Sequence, residues 1–196
     1  MNRIASLIAA AALLLVSTQT PVAAQGRPEP TAEQAAFLST QATSRAELQR
    51  QIDLQMELYP GGTQIAPNEV SYAGGRFVVT YADPGRIGTL GSPDCPSGWF
   101  CFYDNTYFGY PRGKLSDWGV QDLSAYSWSD RTESVHSNTT ACVSFWNHRD
   151  PQHPVNQIGT NDEWLFTVDN YTRSISNVGT DRNMADHVLR DRVKGC

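Results

Sequence analysis

The chain has 196 residues, is 40% hydrophobic and carries 15 Lys and Arg against 20 Asp and Glu, for a formal net charge of −5. That balance describes a globular chain rather than a disordered one, with room for one ordinary domain plus extensions or for two small domains. It also excludes nucleic acid as a partner, because phosphate contacts need clustered Lys and Arg and no such cluster occurs.

Arg3, the apolar run from Ile4 to Val16 and the small residues Val22-Ala23-Ala24 have the layout of a secretion signal, with cleavage expected after Ala24. The run is shorter than the ~20 apolar residues of a spanning helix, and no second hydrophobic segment follows. The expected mature protein is therefore extracellular, without a membrane span, and a monomer. Residues 25–30 are a polar linker. Thr31 with Gln34 and Ser44 with Glu47 stand at capping-box spacing, so 32–57 is one helix or two joined near Thr43. Leu48, Ile52 and Met56 give its second part an apolar face, and Tyr59-Pro60-Gly61-Gly62 ends it. Glu69 to Ala73 and Arg76 to Tyr81, around Gly74-Gly75, read as a β-hairpin. A helical segment and one hairpin make too little core to stand alone, so 25–81 is expected to be a prosegment or an accessory region. The Pro- and Gly-rich stretch 82–93 reads as a linker.

From Asp94 onward the texture changes to short strands and turns, and 94–196 is expected to be one domain. Strands are predicted at Gly98–Asp104, Gly113–Trp118, Leu123–Trp128 (a strand or a bent segment) and Ser134–Thr139. A second set follows at Ala141–Asn147, Glu163–Val168, Arg173–Val178 and His187–Val193. Two sets of four suggest a mainly β, two-sheet sandwich of paired Greek keys. By strand order Asp130–Val135 corresponds to Asn183–Val188, although Asp169–Ile175 looks more like Ser129–Val135 letter for letter. In an oxidising compartment Cys95, Cys101, Cys142 and Cys196 are expected to form disulfides. Three pairings are open; the favoured one closes the Pro-Ser-Gly turn with Cys95 and Cys101 and leaves Cys142 with Cys196.

The run CPSGWFCFYDNTYFG, followed by KLSDWGVQDLSAYSWSDRTESVHSNT, resembles the secreted actinobacterial peptidase-inhibitor family typified by the Streptomyces metalloproteinase inhibitor. The resemblance covers Asp94 to Thr139 strongly and Cys142 to Cys196 more weakly. It implies a βγ-crystallin-like fold and inhibition of extracellular metalloproteases through an exposed loop. The Greek-key pattern of an aromatic, four residues, an aromatic, one residue and Gly fits in two exclusive ways. One places Tyr103 and Phe108 at the aromatic positions with Gly109 supplying the turn; the other uses Phe102, Tyr107 and Gly109. The position of Cys101 favours the first. The family's calcium motif falls on Ser129–Ser134 and on Arg182–His187, which makes Asp130, Glu133, Ser134, Asn183 and Asp186 the candidate calcium ligands. The competing reading is that Asp130 and Ser134 bond turn amides.

His136, His148, His153 and His187 raise the question of a metal or catalytic site, but His148 and His153 stand five apart in a Pro-containing loop without metalloprotease spacing, and isolated loop histidines read as surface residues. No Gly-x-Ser-x-Gly and no phosphate-cradling loop occurs, so an enzyme is not expected. Trp99, Trp118, Trp128, Trp146 and Trp164 read mostly as core or disulfide-packing residues, with glycan stacking as the competitor. The segment from His148 to Gly159, with Pro151 and Pro154, is the longest irregular stretch and the candidate inhibitory loop. Two functions are in play: a secreted inhibitor with an extracellular protease as partner, or a non-inhibitory crystallin-like module that binds calcium, a cell-wall glycan or a surface partner.

Overall fold

The computed structural model describes residues 30–85, 91–150, 152–154 and 156–192. The expected signal segment and Cys196 lie outside the described residues. Two helices open the described chain, α1 (Ala32–Ser39) and α2 (Arg45–Leu58). The Thr31 hydroxyl accepts from the Gln34 amide while the Gln34 side chain accepts from the Thr31 amide, which completes a capping box on α1. Ser44 caps α2 by accepting from the Glu47 amide. Glu47 turns back to the amide and hydroxyl of Thr43 at 2.7 and 2.6 Å, fixing the break between the helices.

Three strands follow, β1 (Thr63–Ala66), β2 (Glu69–Tyr72) and β3 (Phe77–Thr80). The first Greek key consists of β4 (Phe100–Asn105), β5 (Gly109–Leu115), β6 (Gly119–Asp122) and β7 (Ser134–Ser137). The second consists of β8 (Cys142–Asn147), β9 (Glu163–Val168), β10 (Ser174–Ile175) and β11 (His187–Asp191). They build a seven-stranded sheet in the order β1-β2-β3-β5-β4-β7-β10 and a four-stranded sheet in the order β6-β11-β8-β9. Each key thus gives its third strand to the other key's sheet. The two sheets pack face to face, and Phe102 meets Phe145 with ring centroids 6.2 Å apart. The expected two-sheet sandwich is the observed one.

The strand order also places Asp130 opposite Asn183. Both adopt positive φ, 56° and 57°; the Asp130 amide donates to Ala185 O and the Asn183 amide donates to Thr132 O. These paired bonds favour the correspondence of Asp130–Val135 with Asn183–Val188 over the one through Asp169. One strand expectation needs correction, and the choice left open at Leu123–Trp128 falls to the bent segment. The second strand begins at Gly109 and ends at Leu115, so Trp118 lies beyond it. The third strand is Gly119–Asp122, and Leu123–Tyr126 is a single helical turn. The turn forms because an Asp122 carboxylate oxygen accepts the Ser124 amide at 2.8 Å.

The N-terminal strands extend the seven-stranded sheet rather than standing apart. β3 pairs antiparallel with β5, from Phe77 opposite Leu115 to Thr80 opposite Arg112. Leu48, Ile52, Phe77 and Val79 join the same core as Phe102, Trp128 and Val188. Gln55, fully buried on α2, donates to the Tyr72 hydroxyl at 3.1 Å and accepts from the Tyr81 hydroxyl at 3.0 Å. The stretch 82–93 holds residues 86–90, which lie outside the described residues.

Candidate functional site

Between β8 and β9 the sequence HRDPQHPVNQIGTND holds two prolines, two asparagines and a glycine, and no strand can continue through it. Pro151 and Val155 lie outside the described residues. Two buried carboxylates organise the rest. Asp162 Oδ1 accepts the amides of Arg149 and Asp150 at 2.8 and 3.0 Å, and Oδ2 accepts that of Gly159 at 2.7 Å. Asp150, 1% exposed, accepts the Gln152 amide at 3.1 Å and faces His153 Nδ1 at 3.0 Å. Burial works to raise both carboxyl pKa values, but the converging amides and the neighbouring histidines outweigh it and hold both below the ordinary carboxylate range. Gly159 passes so close that an added Cβ would lie 2.6 Å from Asp150 Cβ.

Around this frame Gln152, Pro154, Asn156, Gln157, Thr160 and Asn161 are exposed. The loop therefore has an ordered inside and an open outside, an arrangement suited to presenting backbone to a cleft. Sequence reasoning named the loop and missed both carboxylates. Asp150-Pro151-Gln152 carries a local signal, an Asp placed to bond the amide two residues on. Asp162 carries none, since its partners lie 3 to 13 residues upstream.

At the loop's base Asp162 also faces two histidines. His148 Nδ1 lies 3.2 Å from Oδ1, and His187 Nε2 lies 3.6 Å from Oδ2. His187 sits at the start of β11, as expected, and is wholly buried; His148 is partly buried, which corrects its surface reading. Burial, and then the nearby His148, push the His187 pKa down.

The calcium candidates are placed as follows. Ser134 Oγ donates to Asn105 O at 2.7 Å and accepts the Phe108 amide at 3.0 Å. Glu133 Oε1 accepts from Asn183 Nδ2 at 3.1 Å, and Asp186 Oδ2 accepts the His148 amide at 3.0 Å. Asp130 is an exposed turn residue bonded through its amide to Ala185 O at 3.1 Å. The structure brings Glu133 to Asn183 and commits Ser134 and Asp186 to backbone bonds.

The pinned stretch has an architectural part. Cys95 and Cys101 are joined by a disulfide; Cys142 is also disulfide-bonded, and its expected partner Cys196 lies outside the described residues. Tyr103 and Phe108 meet edge to face at 5.5 Å, whereas Tyr107 is 55% exposed, so the first of the two aromatic placements makes the contact. An added Cβ on Gly109 would lie 2.8 Å from Asn105 Cβ. The tryptophan expectation needs correction. Trp128 is buried and Trp99 packs on the disulfide cluster, but Trp118 and Trp164 are exposed. Trp118 lies past the end of β5, where Arg190 stacks on it at 4.2 Å.

The family model described as peptidase inhibitor family I36 matches residues 88–158, from before β4 into the β8–β9 loop. No curated protein and no solved structure matches the chain.

Proposed function

We propose, from the match of residues 88–158 to the model of peptidase inhibitor family I36, that the protein is a secreted inhibitor of extracellular peptidases, metalloproteases foremost. It presents the β8–β9 loop to the enzyme's cleft and acts from the outside of a rigid sandwich rather than by chemistry of its own. The observation that supports this loop over others is its internal frame: Asp150 and Asp162 between them accept the amides of Arg149, Asp150, Gln152 and Gly159. A loop ordered before binding avoids the roughly 0.5–1.5 kcal/mol that each immobilised side chain would otherwise cost. The open side chains at Gln152, Pro154 and Asn156 are then free to meet the enzyme.

The test is a titration of the purified full-length chain against a panel of extracellular metalloproteases and serine proteases. Stoichiometric loss of activity of at least one enzyme is expected. Full activity of every enzyme at a tenfold excess of the chain would sink the proposal.

A further inference from the structure

We propose that His148, Asp162 and His187 bind a single divalent cation of the zinc class at the base of the β8–β9 loop. The three residues come from separate places in the chain: the first residue after β8, the last loop residue before β9, and the first residue of β11. Strand pairing brings them together, because β11 lies beside β8 with His187 opposite Trp146. One ligand atom from each lies within 4.8 Å of the other two. A tetrahedral ion with bonds of about 2.0–2.2 Å places its donors roughly 3.3–3.5 Å apart. The observed separations, 3.2 Å from His148 Nδ1 to Asp162 Oδ1 and 3.6 Å from His187 Nε2 to Asp162 Oδ2, are close to that spacing, one at each carboxylate oxygen.

Hydrogen bonding does not account for the cluster. His148 Nδ1 is close to Asp162 but misaligned, and His187 Nε2 is beyond bonding distance, so both nitrogens are buried without a hydrogen-bond partner among the described residues. His187 is 0% exposed, a place where an unpartnered imidazole nitrogen is costly unless something fills it. The backbone amides of Arg149, Asp150 and Gly159 hold the Asp162 carboxylate in place, as outer partners of metal-bound carboxylates do.

Two imidazoles and one carboxylate select zinc or cobalt over calcium and magnesium, which take oxygen-only sets. His148 is 20% exposed, and a water molecule would complete the four-coordinate set. The cation would tie both ends of the 148–162 loop to β11. This inference stands on the cluster's geometry and does not depend on protease inhibition.

The purified full-length chain, stripped with a chelator, is titrated with zinc chloride and with cobalt chloride. One equivalent is expected to bind, with the visible absorption bands of tetrahedral cobalt. At a hundredfold excess over Kd, Tm should rise by about 5–10 °C, with no rise from magnesium. His148→Ala should abolish the bands and the rise while keeping the native circular dichroism spectrum, and Asp162→Asn should weaken binding at least tenfold. His153→Ala should bind as wild type does. Because truncating the fully buried His187 removes packing under β11, the decision rests on the His148 variant and the cobalt spectrum. Absence of both signals in the wild-type chain overturns the site, as does undiminished binding by His148→Ala.

Discussion

The carboxylate of Asp94 faces three partners: Arg112 Nη1 at 2.8 Å, the Tyr103 hydroxyl at 3.2 Å and the Tyr110 hydroxyl. Burial opposes its ionisation, but the Tyr110 bond and the Arg112 charge outweigh it and hold the pKa below the ordinary carboxylate value. A group with a depressed folded pKa contributes stability above its unfolded pKa of about 3.9, and loses that contribution as pH falls through the folded value. Asp94→Asn should therefore lower Tm at pH 7, by an amount that shrinks as the pH is taken below about 3.9. Thermal melts across that range would show the gap closing; a gap constant with pH would count against the assignment. Gly159 is the counterpart in the loop. Gly159→Ala puts a methyl group against Asp150, and on the inhibitor reading it should weaken inhibition about tenfold or more by loosening the frame, read out in the same protease titration. Neither residue was legible in this role, because both act through partners distant in sequence. Tyr103, Phe108 and Gly109 were legible because their contacts are local.

β4 is buried on both faces. Phe100 and Phe102 point between the sheets, while Cys101 and Tyr103 pack on the other side with Cys95, Phe108 and Trp99. This explains why the strand reads as the continuous run WFCFY rather than as apolar and polar residues in alternation. Room for Phe102 comes from the neighbouring strand: Gly113 stands opposite it in β5, and an added Cβ there would lie 2.2 Å from the Phe102 ring. Gly113→Ala is expected to cost about 3 kcal/mol, measured by denaturant unfolding; an unchanged midpoint would mean the ring relocates freely. A second expectation concerns the buried pair of Asp104 and Arg131, 2.8 Å apart with Trp128 under the guanidinium. Asp104→Ala leaves that guanidinium unpaired and should cost about 3–5 kcal/mol in the same measurement. The choice between a strand and a bent segment at Leu123–Trp128 stayed open for a physical reason. Leu123 and Trp128 are both fully buried, and over six residues that spacing does not separate a strand from a helical turn. The cap from Asp122 decided it.

At the scale of the molecule, two sets of four short strands announced a Greek-key sandwich, but the exchange of third strands between sheets is a non-local pairing that no local pattern encodes. The same limit applied to residues 25–81, whose sequence allowed a removable prosegment or an accessory region. The structure joins β3 to β5 and sets Phe77 against Tyr126 at 4.2 Å, a ring of the first Greek key. Without the N-terminal part, β5 would become an open edge, and the core faces now covered by Leu48, Ile52, Phe77 and Val79 would meet water. Each such side chain contributes about 1.5–3 kcal/mol through burial, and four of them approach the ~5–15 kcal/mol that a whole domain has. An isolated 91–196 fragment should therefore melt far below the full chain or aggregate through the exposed β5 edge. A cut within 82–93 should by contrast leave the two pieces associated, eluting together on gel filtration and separating only in denaturant. Should the 91–196 fragment instead melt cooperatively within a few degrees of the full chain, the N-terminal part would be a removable prosegment, and the shared core would contribute little to stability.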